Sequence, residues 1–169
     1  PVITLIGANP QIIECHTSYV ELGATATDTC SGDLTALIAV DRSGVDANRL
    51  GTYEVIYSVA DASGNAHQVT RTVHVVDTIA PVITLLGANP QIIECHVPYV
   101  EPGATGTDAC SGDLTERIAI NSSGVDANTV GSYEVAYTVA DGSGNAHQVV
   151  RTVNVVDTTS PVITLLGAN

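Results

Sequence analysis

The sequence repeats itself with a long and faithful period. Residues 1–80 and 81–160 align without a gap, starting at Pro1 and Pro81, and are identical at 59 of 80 positions. Residues 161–169 begin a third copy at Pro161 and are expected to form the first strand of a truncated third repeat. Such a period marks a tandem array of small domains, each its own folding unit. It also bears on function. An enzyme needs one site built once, whereas near-identical copies supply length, reach or multivalency. The expectation is a structural or adhesive module.

A repeat of this size can bury only a marginal core, so a covalent or metal staple is expected. Phe, Trp and Met are absent, and the aromatics are Tyr19, Tyr53, Tyr57, Tyr99, Tyr133 and Tyr137. Val, Ile and Thr dominate, which favours strands. No apolar run is long enough to span a membrane, so no membrane insertion is expected in this segment. Neither an initiator Met nor a signal peptide is present, which reads as a piece of a longer chain.

The net charge is −13, with five Arg and no Lys. This argues against nucleic acid and anionic membranes as partners, since both need basic footprints. It suits a soluble extracellular surface or a chain that takes up divalent cations. Without Lys, no Lys–Asn isopeptide crosslink can form.

Cys15 and Cys30 recur as Cys95 and Cys110. Neither pair has zinc-motif spacing. His16 and His96 adjoin Cys15 and Cys95, which keeps a metal reading open beside the favoured one, a disulfide within each repeat. Such a bridge would close a loop of about 15 residues and contribute about 3 kcal/mol. It would place the chain outside the cytosol.

Within one repeat, strands are expected at Val2–Leu5, Gln11–Cys15, Gly23–Asp28, Thr35–Val40, Tyr53–Asp61 and Ala66–Asp77, with a hairpin turn at Ala62–Asn65. Tyr53, Val55, Tyr57 and Val59 alternate onto one face, the expected core. Arg71 falls in phase with Val69, Val73 and Val75, and an inward Arg is not expected, so the pattern predicts a bulge or an edge there. Short strands and regularly spaced turns predict an all-β chain of tandem immunoglobulin-like β-sandwiches joined end to end by short linkers. Gly51-Thr52-Tyr53 resembles the tyrosine-corner segment of that fold. No Trp is available to pack against an antibody-type intersheet bridge.

The string Ile12-Ile13-Glu14-Cys15, Tyr19, Gly23–Asp28 and Cys30–Thr35, with Gly51–Tyr53 and Tyr57–Asn65, resembles the bacterial surface-protein Ig-like domain. Related modules occur in a pesticidal crystal protein, and the hyalin repeat is similar. The resemblance covers all of each repeat. It implies extracellular tandem arrays without catalytic activity. It also implies that the positions of Cys15 and Cys30, apolar in many members, neighbour each other in the core, which supports a bridge between them.

No nucleophile elbow or glycine-rich phosphate loop is present, and the paired carboxylates are duplicated at the same offset. Calcium is the sharper expectation. In an Ig-like sandwich the loops after the second and sixth strands share the pole that receives the preceding domain. The short link Asp77–Pro81 would bring Asp77 to Asp108, Asp113, Asp141 and Asn145. Asp28, Asp33, Asp61 and Asp157 would serve at the other joints. Converging hard oxygens suit Ca²⁺. Against it stands the ordinary role of Asp as a turn former. His67, His74 and His147 read as exposed strand residues, and the sequon at Asn121 reads as chance.

The leading expectation is thus an extracellular stalk, surface fibre or filament, whose partners are other copies of the repeat, end to end and laterally. The alternative is an adhesin module recognising carbohydrate or a protein. That would need an exposed aromatic or Arg-rich patch, for which Tyr19 and Tyr99 are the candidates.

Overall fold

The computed structural model describes residues 1–167. The chain divides into two compact units, Pro1–Ile79 and Ala80–Asn169. Both are built from strands and short turns.

Unit 1 has seven strands: β1 (Val2–Leu5), β2 (Gln11–Glu14), β3 (Ala24–Asp28), β4 (Gly32–Asp33), β5 (Ala39–Asp41), β6 (Gly51–Ala60) and β7 (Ala66–Val76). They form a three-stranded sheet, β1-β3-β4, and a four-stranded sheet, β2-β7-β6-β5. β2 runs parallel to β7, and the other pairs are antiparallel. Unit 2 repeats this with β8 (Val82–Leu85), β9 (Gln91–Glu94), β10 (Ala104–Asp108), β11 (Gly112–Asp113), β12 (Ala119–Asn121), β13 (Gly131–Ala140) and β14 (Ala146–Val156). Its sheets are β8-β10-β11 and β9-β14-β13-β12.

The core lies between the sheets. In unit 1, Ile3, Ala26 and Leu34 meet Val55, Tyr57, Val59 and Val73. In unit 2, Ile83, Ala104 and Leu114 meet Val135, Tyr137, Val139 and Val153. Each fully buried Val contributes roughly 1.5–3 kcal/mol. The expected alternation holds: Val55, Tyr57 and Val59 are buried, while Glu54 and Ala60 are exposed. The tyrosine corner is also present. Tyr53 donates its hydroxyl to the Arg49 carbonyl (2.7 Å) and Tyr133 to that of Thr129 (2.8 Å).

The β6–β7 hairpin turns on Asp61. Its Oδ1 accepts the N–H groups of Ser63 and Asn65, both at 2.9 Å. Gly64 supplies the left-handed residue, with φ +85°.

Three expectations are corrected. The strand expected over Thr35–Val40 is a 3₁₀ turn, Thr35–Leu37, followed by the short β5. Asp33 Oδ1 accepts the Thr35 N–H (2.9 Å), and Thr35 Oγ1 accepts the Ala26 N–H (3.1 Å), so the chain is bent where a strand would run straight. Secondly, Arg71 sits in unbroken register opposite Val55, with no bulge, and is 0% exposed. It points into the sandwich, as does Arg151. The β2 ladder begins only at Val73, and the Asn9 side chain covers the open edge, its Oδ1 accepting the Thr72 N–H (2.8 Å). Thirdly, residues 161–167 form no strand, and Val162, Ile163, Leu165 and Leu166 are exposed. In the complete repeats this segment is held by the third strand of its own unit. The remainder of that expected strand, Ala168 and Asn169, lies outside the described residues.

Candidate functional site

Each unit has two poles. β1 and β3 are antiparallel with Val2 opposite Thr27, so the start of the repeat and the end of β3 share one pole. The β6–β7 hairpin joins them there, since Asp61 feels the charge of Asp28 and His67 Nδ1 accepts the Ile3 N–H (3.0 Å). The opposite pole holds the ends of β2 and β7, where the Cys15 N–H donates to the Val76 carbonyl (2.7 Å).

The entry pole gathers part of the expected acidic set. In unit 1, Asp28 Oδ1 accepts the N–H groups of Cys30 and Ser31, both at 2.9 Å. Its Oδ2 meets the Pro1 ammonium at 2.9 Å. The bond from that ammonium, with the two backbone donors, holds the Asp28 carboxyl well below the usual carboxylate range. In unit 2, Asp108 Oδ1 accepts the N–H groups of Cys110 (2.8 Å) and Ser111 (2.7 Å). Its Oδ2 is buried and has no hydrogen-bond partner. Asp141 offers a carboxylate oxygen within 4.8 Å of one of Asp108. Burial works against the Asp141 charge, but bonds from Asn145, Ser143 and Gly144 outweigh it and lower its pKa.

The other expected ligands have local roles. Asp33 and Asp113 each accept a Thr N–H two residues on, and both are exposed. Asn145 donates its side-chain amide to Asp141 Oδ2 (2.8 Å). Asp157 accepts the Thr159 N–H (3.1 Å). Asp77 follows β7 in unit 1 and is buried.

The cysteines need the plainest correction. Cys15 and Cys110 are disulfide-bonded, while Cys30 and Cys95 carry free thiols. The expected Cys15–Cys30 and Cys95–Cys110 bridges are not formed. Cys15 lies at the exit pole beside Val76, and Cys30 follows Asp28 at the entry pole. A strand as long as β7 separates these poles by roughly 30 Å, whereas a disulfide needs Cα atoms within about 7 Å. His16 and His96 each adopt a left-handed turn conformation and bond an Asn side chain through Nδ1, Asn48 and Asn128 respectively.

Sequence reasoning missed a polar network in the middle of each unit. Arg71 donates from Nε to the Tyr57 hydroxyl (3.0 Å), from Nη1 to the Ala8 carbonyl, and from Nη2 to the carbonyls of Ile6 (2.7 Å) and Gly23 (3.0 Å). Tyr57 in turn donates to Glu21, whose carboxylate also accepts from Tyr19 (2.8 Å) and the Gly23 N–H (2.7 Å). Gly7 takes φ +80° between the two carbonyls that face the guanidinium. Arg151, Tyr137, Glu101 and Tyr99 repeat the arrangement. Burial opposes the Glu21 charge, but bonds from Tyr57, Gly23 and Tyr19, with the Arg71 charge, hold its carboxyl below the ordinary range. Burial, then the Glu21 bond, push the Tyr19 hydroxyl well above its usual value. The in-phase Arg was the signal, and the partners it needs lie far away in sequence. Tyr19 and Tyr99, the aromatics an adhesive surface would use, are partly buried against the core and occupied by this network.

At the exit pole, Glu14 clamps the link to its own unit. Thr78 donates its N–H (2.7 Å) and its hydroxyl (2.9 Å) to that carboxylate. Glu94 holds Thr158 in the same way (2.7 and 2.8 Å) and also accepts the Thr159 hydroxyl (3.0 Å).

Among known proteins, the chain is 30% identical over 129 residues to the pesticidal crystal protein Cry22Aa of Bacillus thuringiensis, covering 75% of this chain and 18% of that protein. It is 38% identical over 152 residues to hyalin of Strongylocentrotus purpuratus, covering 83% of this chain and 12% of hyalin. It therefore spans less than a fifth of either relative. A solved structure from Clostridium perfringens ZmpB, comprising the M60 catalytic domain with two CBM51 domains, aligns with a TM-score of 0.52 at 14% identity, over 94% of this chain and 31% of that one. That likeness shows the fold alone. Among the described residues, no helix is long and apolar enough to cross a membrane. The family model for the bacterial surface protein Ig-like domain matches residues 3–75 and 83–155, and the chain belongs to that family.

Proposed function

We propose that the chain is a non-catalytic structural repeat module of an extracellular stalk, surface fibre or filament. The observation that carries this reading is the clamped link. In both repeats a Glu at the end of the second strand binds the backbone and hydroxyl of the first Thr beyond the last strand. The connection therefore starts as part of the body it leaves, which shortens the free segment and favours a stiff array over beads on a loose string. Tandem copies, a satisfied core network and a strongly acidic surface suit a soluble load-bearing element. The partners are further copies of the repeat, joined end to end, with lateral association between chains.

Electron micrographs of the native particle, beside small-angle scattering of the 169-residue chain and its Glu14→Ala variant, test this. Regular fibres, and a variant whose scattering shows broader interdomain flexing, are the expected results. Isolated particles that bind one glycan on an array, with scattering unchanged in the variant, would contradict the reading and favour the adhesin.

A further inference from the structure

Asp108 and Asp141 bring two carboxylates together at the entry pole of unit 2, with oxygens within 4.8 Å of one another. They are 9% and 7% exposed. The oxygens are unequally used. Asp108 Oδ1 accepts two backbone N–H groups, and Asp141 is held by Ser143 and Asn145. Asp108 Oδ2 is buried and has no partner. An ionised oxygen in that position is costly unless a cation reaches it.

We infer that the Asp108–Asp141 pole of unit 2 binds a calcium ion, with Asp108 Oδ2 as its leading ligand. Two oxygens bound to one Ca²⁺ at about 2.3–2.6 Å each can lie up to roughly 5 Å apart, so the separation fits. Both donors are hard carboxylate oxygens, which suit calcium and not a soft metal. Cys110, two residues from Asp108, is disulfide-bonded and offers no thiolate, so it supplies no soft ligand that would favour zinc. Magnesium is disfavoured because it keeps its own waters and demands near-octahedral geometry. The rest of the shell is left to water and backbone carbonyls. The inference goes beyond the stalk reading and does not depend on it, since a repeat can bind calcium whether or not it assembles.

The test is isothermal titration of calcium into the metal-free 169-residue chain at neutral pH, with magnesium in parallel. One calcium is expected per chain, with a dissociation constant of about 10⁻⁴–10⁻³ M or tighter and weaker magnesium binding. Asp108→Asn abolishes it, while the exposed control Glu134→Gln leaves it unchanged. An Asn at position 108 still accepts the two backbone N–H groups through its carbonyl oxygen. The metal-free variant therefore melts at or above the metal-free wild type. Should that variant fail to fold, Asp141→Asn must show the same loss of binding. No calcium uptake by the wild type, uptake unchanged in the Asp108 or Asp141 variant, or equal affinity for magnesium would overturn the assignment.

Discussion

Arg71 and Arg151 lie at the centre of their units with a hydrogen bond on each guanidinium nitrogen, whereas Asp108 lies at a pole with one carboxylate oxygen that nothing reaches. Both are buried charges, and their settings are opposite. The arginine is surrounded by carbonyls, a tyrosine hydroxyl that leads to Glu21, and the Tyr57 ring 5.6 Å away. Its charge is balanced within the unit. Asp108 is balanced only on its Oδ1 side. A closed network is suited to holding a small core in one arrangement, and an open one to taking a ligand.

The largest expected effect comes from breaking the closed network. Arg71→Ala leaves the half-buried Glu21 without its counter-charge and takes the guanidinium donor from the Ile6 and Ala8 carbonyls. Unit 1 is expected to lose about 3–5 kcal/mol in chemical denaturation. Lys at this position lacks the planar fork and is not expected to restore stability. Tyr57→Phe removes only the hydroxyl between Glu21 and Arg71 and is expected to cost about 1–3 kcal/mol. A loss in either variant no larger than that of an exposed substitution would show that the network is incidental.

The same network sets the pH limits. The Glu21 carboxyl is lowered from its ordinary value of 4.5, so its contribution is present above that pH and is lost as pH falls through the folded value. The Tyr19 hydroxyl is raised from 10.0, so its contribution is present below that pH and is lost as pH rises towards the folded value. Stability measured against pH should show both limbs, and Glu21→Gln should flatten the acid one. A smaller change is expected at the tyrosine corner, where Tyr53→Phe removes one exposed bond to the Arg49 carbonyl and costs about 0.5–1.5 kcal/mol.

Much of the sandwich could be read from residues that act locally. The Tyr53–Val59 alternation, the Asp61 hairpin and the tyrosine corner each need only neighbours within a few positions. Arg71 was misjudged because its partners, Ile6, Ala8, Glu21 and Gly23, come from segments 48 to 65 residues away, and only the fold assembles them. The cysteines were misjudged for a related reason. Their spacing of 15 residues suggests a closed loop, but β2 and β3 belong to different sheets and deliver Cys15 and Cys30 to opposite poles. At the entry pole, the Asp residues were found by their turn positions. Their burial and the orphaned oxygen depend on packing that periodicity does not encode.

Hydrogen exchange of the 169-residue chain with and without calcium tests the contrast between satisfied and unsatisfied charge most directly. Calcium is expected to slow exchange at Cys110, Ser111, Ser143 and Asn145, whose N–H groups bond the two aspartates of unit 2. The equivalent amides of Cys30, Ser31, Ser63 and Asn65 should change less, because Asp28 and Asp61 are less buried than Asp108 and Asp141 and neither carries an orphaned oxygen. Equal protection at both poles, or none at either, would contradict the account.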